Sequence, residues 1–339
     1  MYGPAPAVGR RGAWRFASMA IMGTVSLISR CFLYGFNHVE VSGLDHLLKT
    51  LDRRKGRGTT RGLLTVCNHV AVLDDPLIWG ILPVRYTTDL QNLRWGLGAH
   101  DICFKNSISS TFFTLGQVLP TRRLWHSSLG GLYQPMMTQA INLLSSSTES
   151  TTRRQKIFST DGTDPFPAPV THHAWVHVFP EACCHQSPDS SLRYFKWGVS
   201  RLLLESEPAP EFIPMFIHGT QAIMPEDRGW PRWLPRVGNH VRMVIGPPRD
   251  ADALFGPHRT TWKRLVDRSE SEDLQDGQQA VQLRIRVAKQ VRDEVQLLRQ
   301  SIGLPREVDD TAALAETWSK EPRISKFKIP VDGSSVNRH

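Results

Sequence analysis

The string Asn68-His69-Val70-Ala71-Val72-Leu73-Asp74-Asp75-Pro76 sets an imidazole and a carboxylate five positions apart, directly after the apolar run Leu63-Leu64-Thr65-Val66-Cys67. A carboxylate beside an imidazole fixes its tautomer and stabilises the imidazolium, so His69 held by Asp74 can take a proton from a substrate hydroxyl. On a regular helix side chains five apart point away from each other, so a turn must bring these two together. The apolar run reads as a buried strand. Asp75-Pro76 reads as a helix start, with Asp75 as N-cap and Pro76 at the first helical position. A core histidine satisfied by a capping aspartate fits the same residues, and the pair alone leaves both readings open.

Two more strings carry chemistry-bearing groups. Trp175-Val176-His177-Val178-Phe179-Pro180-Glu181 is a strand that stops at a proline and presents a carboxylate. Leu115-Gly116-Gln117-Val118-Leu119-Pro120-Thr121-Arg122-Arg123 ends a similar run in two guanidiniums, whose planar forks suit a phosphate. Gly-x-Ser-x-Gly is absent, which disfavours a serine acyl-enzyme.

The elements that must position these groups follow an α/β pattern. Short apolar runs at Leu63–Val66, Arg94–Gly98, Trp175–Phe179, Phe212–Ile217 and Val241–Ile245 leave room for helices between them. In such sheets chemistry gathers beyond the strand ends. Pro135–Leu144 reads as a helix, and Ser145–Val170, rich in Ser, Thr, Asp and Pro, as a mobile surface insertion. Val281, Ile285, Ala288, Val291, Val295, Leu298 and Ile302 form one apolar helical stripe, stopped by Gly303 and Pro305. This helix is expected to cover the rest of the fold, and the chain beyond it to be loosely held.

The N-terminus is acid-poor, with no Asp or Glu before Glu40, and resembles a mitochondrial targeting segment. Arg30 interrupts the uncharged stretch Phe16–Ser29 before it reaches spanning length. At 100° per residue Arg11, Arg15, Ser18, Ser26, Ser29 and Arg30 share one side. Ala20, Ile21, Leu27, Ile28, Cys31 and Phe32 lie opposite, while Met22 and Leu33 spoil the pattern. The expectation is a helix lying in a bilayer interface, with Phe16, Ile21, Leu27, Ile28 and Phe32 toward lipid. Packing of the same helix on the protein's own core is the alternative. Trp230-Pro231-Arg232-Trp233 suggests a second membrane contact through Trp230 and Trp233.

With 339 residues the chain can bury a full core. A formal charge of +9 and a pI near 9.6 favour an anionic membrane surface. Nucleic acid is the weaker choice and is not expected as a partner, because no zinc-finger or RNA-binding signature accompanies the dispersed basic residues. Five scattered cysteines give no disulfide framework. Cys183-Cys184-His185 lacks a second ligand pair at zinc spacing, so neither a metal nor any other cofactor is expected.

In order, Asn68–Asp74, Gly116–Arg123, Phe179–Glu181 and the strand around Pro214 resemble the four blocks of the glycerolipid acyltransferase superfamily. Further strings resemble its tafazzin family, fungal-type members included. They are Asp74-Asp75-Pro76 with Trp79-Gly80, Leu115-Gly116, Trp175-Val176-His177, and Leu192-Arg193-Tyr194-Phe195-Lys196-Trp197-Gly198. The resemblance covers approximately residues 15–250. It departs at Ala182, where the pattern has glycine, and at Ala71, where relatives often have serine. It implies a mixed central sheet flanked by helices, with an N-terminal interfacial membrane segment. The expected organisation is a targeting and anchoring segment over 1–39, an acyltransferase domain over 40–256 with the 145–170 insertion, a helical region over 257–303, and a tail over 304–339.

The function implied is CoA-independent transfer of acyl chains between phospholipids and lysophospholipids: cardiolipin, monolyso-cardiolipin and phosphatidylcholine. His69 would be the general base, Asp74 its orienting partner, and Asn68, Arg123 and Glu181 the substrate-binding residues. The location implied is mitochondrial, monotopic on membranes facing the intermembrane space, and an oligomer is compatible with it. An acyl-CoA-dependent lysophospholipid or glycerol-phosphate acyltransferase uses the same dyad. A catalytically weak membrane-shaping scaffold is the reading from a different class.

Overall fold

The computed structural model describes residues 10–55, 59–123, 127, 130–146, 173–268 and 271–307. The expected insertion and tail lie outside them, apart from Ser145, Ser146 and residues 304–307. Eight strands form one mixed sheet: β1 (His38–Ser42), β2 (Leu63–Cys67), β3 (Arg94–Ala99), β4 (Val118–Thr121), β5 (Trp175–Val178), β6 (Glu211–His218), β7 (His240–Ile245) and β8 (Arg249–Asp250). Their order is β1-β7-β6-β2-β5-β3-β4, with β8 on β6. Strands β6, β2, β5, β3 and β4 are mutually parallel, so their carboxyl ends meet along one edge. Strand β7 runs antiparallel to β6, and β1 runs parallel to β7.

Strand β2 is buried on both faces, as a central parallel strand must be. Its side chains alternate between two cores. Leu64 and Val66 join Val176, Phe212 and Phe216 under α5 (Pro135–Leu144), α6 (Gly198–Glu205), α7 (Ala251–Arg268) and α8 (Gln278–Ser301). Leu63 and Cys67 join Trp175, Ile213 and Met215 under α1 (Arg10–Phe36), α2 (Leu44–Arg53) and α3 (Asp74–Gly80), and α4 (Ser107–Leu115) packs against α1. Thr65, polar on the face of Leu63 and Cys67, accepts from Trp175 Nε1 at 2.9 Å and pairs with His177 Nδ1 at 2.7 Å.

Of the expected stripe α8 buries Ala288, Val291 and Val295 and leaves Val281, Ile285, Leu298 and Ile302 half-buried, because the buried face turns toward Leu283 and Val287; its arginines are what grip the site loops. Arg292 donates to the carbonyls of Leu192 and Arg193 (2.7 and 3.0 Å). Arg299 donates to those of Asp189 and Ser190 (both 2.7 Å). Both guanidiniums are buried, and their charge is tolerable because backbone oxygens and, for Arg292, the Glu307 carboxylate surround it.

Helix α1 continues past Arg30 to Phe36, and by length and composition alone it could cross a bilayer. Its packing is inside-out. Ser18, Met22, Ser26, Ser29 and Leu33 are buried at three- and four-residue spacing, which explains why Met22 and Leu33 break the apolar side. The Arg30 guanidinium donates to the carbonyls of Ile81 and Leu82 (3.2 and 3.3 Å), satisfying groups left open at the end of α3. Trp79 Nε1 donates to the Met22 carbonyl at 3.0 Å. Gly80 allows the close approach: a Cβ there would lie 2.7 Å from Ser29 Cβ. Phe16, Leu27 and Ile28 face outward. Ile21 and Phe32, expected beside them, sit on the shoulder of the buried stripe. Ile21 lines the cavity described below, and Phe32 packs on the second core. Trp230 and Trp233 are exposed, in a loop that joins α1 where Gly238 N donates to the Phe36 carbonyl (2.8 Å).

Candidate active site

His69 and Asp74 lie just past the carboxyl end of β2, at the centre of the parallel strands. The backbone turn Ala71–Asp74, closed by Asp74 N to Ala71 O at 3.0 Å, folds the pair together. Asp74 Oδ2 accepts from His69 Nδ1 at 2.9 Å and from the amides of Val70 and Ala71 at 2.7 and 2.8 Å. Its other oxygen accepts the Thr220 hydroxyl at 2.6 Å from the loop after β6. Asp74 is wholly buried and fully hydrogen-bonded, so it holds the ring in one orientation with Nε2 turned outward. Helix α3 starts at Asp74, with Leu73 as N-cap, and not at Pro76. The Asp75 carboxylate turns instead to Arg94, whose guanidinium lies 2.5 Å away, and this neighbour lowers its pKa against the effect of burial.

The His69 ring stacks on Phe179, centroids 4.5 Å apart, and faces a cavity of about 790 Å³. Burial disfavours the charged imidazole. The Cys184 sulfur and the Asp74 carboxylate outweigh it and raise the His69 pKa well above the ordinary value. Cys184 Sγ lies 3.5 Å from Nε2. His177 also lines the cavity, but burial pushes its pKa down to about 3, so it stays neutral.

Arg123 reaches the cavity beyond β4, held by two hydrogen bonds to Asp101, one of them from Nε at 3.0 Å. Arg122 lines it as well. The other two residues expected to bind substrate lie behind the site and do not line the cavity. Asn68 is buried, with its amide paired to Ile217 N and O at 2.8 and 2.9 Å, which locks the His69 loop to β6. Glu181 is buried too and accepts from His69 N at 3.2 Å. Both face inward because unpaired backbone groups of β6 and the His69 loop need partners there.

Burial pushes the Glu181 pKa up to about 8. The folded state therefore keeps a proton that the unfolded chain loses near its ordinary 4.5, and stability falls as pH rises between those values. Glu181→Gln retains the acceptor and should abolish this fall, measured as urea midpoints at pH 5 and 8. Ala182, next along, has φ of +55° and an exposed side chain. Ala182→Gly should raise unfolding free energy by about 0.5–1 kcal/mol, read from the same titration, because alanine is strained in that region.

The sequence does not single out Thr220 as a partner of Asp74 or Cys184 as a partner of His69. Thr220 carries no local signal, since it meets Asp74 only through the β2–β6 pairing. Cys184 was visible only as half of a Cys-Cys pair weighed for metal binding. Among the described residues no cluster of three or more His, Cys, Asp or Glu is arranged to hold a metal.

A carboxylate-oriented imidazole with Nε2 open to an apolar cavity, under a cationic rim, is an acyl-transfer arrangement. The acyltransferase family model matches residues 38–218, over half of the chain. Tafazzin of Saccharomyces cerevisiae is 35% identical, covering 95% of this chain and 88% of that one. Taffazin of Dictyostelium discoideum is 29% identical, with 77% of each chain covered. A 1-acyl-sn-glycerophosphate acyltransferase structure from Thermotoga maritima is 17% identical with a TM-score of 0.41, covering 78% of this chain and 84% of that one, a loose likeness. The chain belongs to the tafazzin family of acyltransferases.

Proposed function

We propose that this enzyme moves acyl chains between phospholipids and lysophospholipids without CoA and remodels cardiolipin on mitochondrial membranes facing the intermembrane space. The observation that carries the reading is His69 Nε2, fixed by Asp74 and facing a cavity whose other wall, α1, turns apolar side chains to the exterior. A lipid can enter such a cavity from the bilayer surface without passing through water. His69 takes the proton of a lysolipid hydroxyl, and the oxygen is acylated at the expense of a donor ester. Arg123, oriented by Asp101, holds a lipid phosphate. Asn68 and Glu181 serve the site by fixing the His69 loop.

The anchor is one-sided. Because α1 is hydrogen-bonded to the loop around Leu90, to α3 and to the 238 loop, lipid reaches only its outer face, and the protein sits monotopically. The test is purified protein on liposomes with monolyso-cardiolipin and labelled phosphatidylcholine, without CoA. Label in cardiolipin supports the reading. Transfer that begins only when acyl-CoA is added replaces it with a CoA-dependent acyltransferase, and liposome binding with no transfer under either condition replaces it with a scaffold.

A further inference from the structure

We propose that Cys184 is the nucleophile of this site and carries the acyl chain as a thioester between donor and acceptor lipids. The inference rests on the acyl-transfer reading above and adds the step that reading leaves open: what His69 Nε2 touches before an acceptor arrives. That group is Cys184 Sγ, 3.5 Å away, on the side of the ring opposite Asp74. Cysteine, histidine and aspartate are thus joined in sequence, the arrangement that activates a thiol through an oriented base.

The placement is built. His185 N donates to the His69 carbonyl at 2.7 Å. Gln186 Nε2 donates to the carbonyls of Val70 and Met224 at 2.8 and 3.0 Å, and its Oε1 accepts from Glu226 N at 2.9 Å. The segment bearing Cys184 is therefore tied to the His69 loop and to the loop beyond β6. The other described cysteines are not placed for this role. Cys183, whose pKa burial raises, accepts from Arg193; Cys67 is buried beneath Asn68; Cys103 is pushed up to about 11; Cys31 lies on the outer side of α1. Cys184 also lines the cavity.

The chemistry balances without a further reactant. The Cys184 thiol gives its proton to His69 Nε2 as sulfur attacks the donor ester carbonyl. The ester C–O bond breaks, and the departing lysolipid oxygen takes the proton from His69. An acceptor hydroxyl then gives its proton to His69 while its oxygen attacks the thioester. The C–S bond breaks and the thiolate is reprotonated. Alternating occupation requires the cavity, about 790 Å³, to seat only the reacting ester region of one lipid at a time.

The test incubates the full chain with liposomes of phosphatidylcholine alone, without lysolipid or CoA, followed by acid quench and peptide mass analysis. The expected result is an acyl adduct on Cys184 that neutral hydroxylamine removes. Cys184→Ala should lose the adduct and slow exchange in the complete assay by on the order of a thousandfold. Cys184→Ser, which retains a hydroxyl at the position, should show a weak adduct that resists hydroxylamine. Wild-type protein left unmodified by donor, or Cys184→Ala exchanging at the wild-type rate, overturns the proposal while leaving direct transfer through His69 intact. Wild-type protein that exchanges nothing in the complete assay overturns the transfer reading itself.

Discussion

Acyl exchange should fall by about four orders of magnitude in His69→Ala and about three in Asp74→Asn, with liposome binding unchanged in both. The two variants remove different things. Alanine at 69 removes the only group at the cavity that Asp74 orients as a base. Asparagine at 74 can seat its oxygen where Oδ2 accepts the Val70 and Ala71 amides and His69 Nδ1, and turn its nitrogen to Thr220 Oγ1. The fold and the tautomer then survive, and only the charge that stabilises the imidazolium is lost. Asp74→Ala should instead leave two buried amides and a hydroxyl without partners and destabilise the protein by several kcal/mol, about 1–3 for each.

The pH profile separates these effects further. Transfer needs neutral His69, whose pKa is raised, so the wild-type rate should climb with pH through a midpoint above the ordinary imidazole value. In Asp74→Asn, without that carboxylate and with burial unopposed from its side, the midpoint should move down. A His69→Ala protein that exchanges label within tenfold of wild type would remove His69 from the mechanism.

What the sequence disclosed follows from the range of the forces involved. Strands such as Leu63–Cys67 and Phe212–Ile217 are legible because two-sided burial demands an unbroken apolar run. The stripe of α8 is legible because one apolar face recurs with the helical period. The arginines of that same helix are not, since Arg292 and Arg299 look like its solvent side until the carbonyls of residues 189–193 are brought to them. Asn68 and Glu181 stand next to the site in sequence yet face inward, a matter of backbone groups on β6 and the His69 loop that no local pattern reports. Asp75 reads as a cap in the sequence because its partner, Arg94, comes from β3, far along the chain. Cys184 is the sharpest instance. Its neighbours in sequence suggested metal, while its neighbour in space is the imidazole.

Helix α1 is where the enzyme's approach to lipid can be tested. Leu27→Glu with Ile28→Glu should reduce partition onto anionic liposomes by about two to four orders of magnitude. Burying each side chain in acyl hydrocarbon contributes roughly 1.5–3 kcal/mol, and every 1.4 kcal/mol is tenfold. Both side chains are exposed, so the substitutions remove no packing from the fold, and thermal unfolding should be unchanged. The opposite face of the helix behaves differently. Ser29 abuts Gly80 and Arg30 satisfies the carbonyls that close α3, so Gly80→Leu should drive α1 off the domain and lower the unfolding midpoint. Trp230→Ser with Trp233→Ser should weaken partition on their own if the proposed second contact operates, because these rings are exposed in the loop bonded to the end of α1. Exchange measured on dispersed short-chain lipids should survive in the Leu27 and Ile28 variant, since neither residue lines the cavity. Unaltered liposome binding there would mean that lipid approaches the cavity by another face, and that the inside-out packing of α1 serves only the fold.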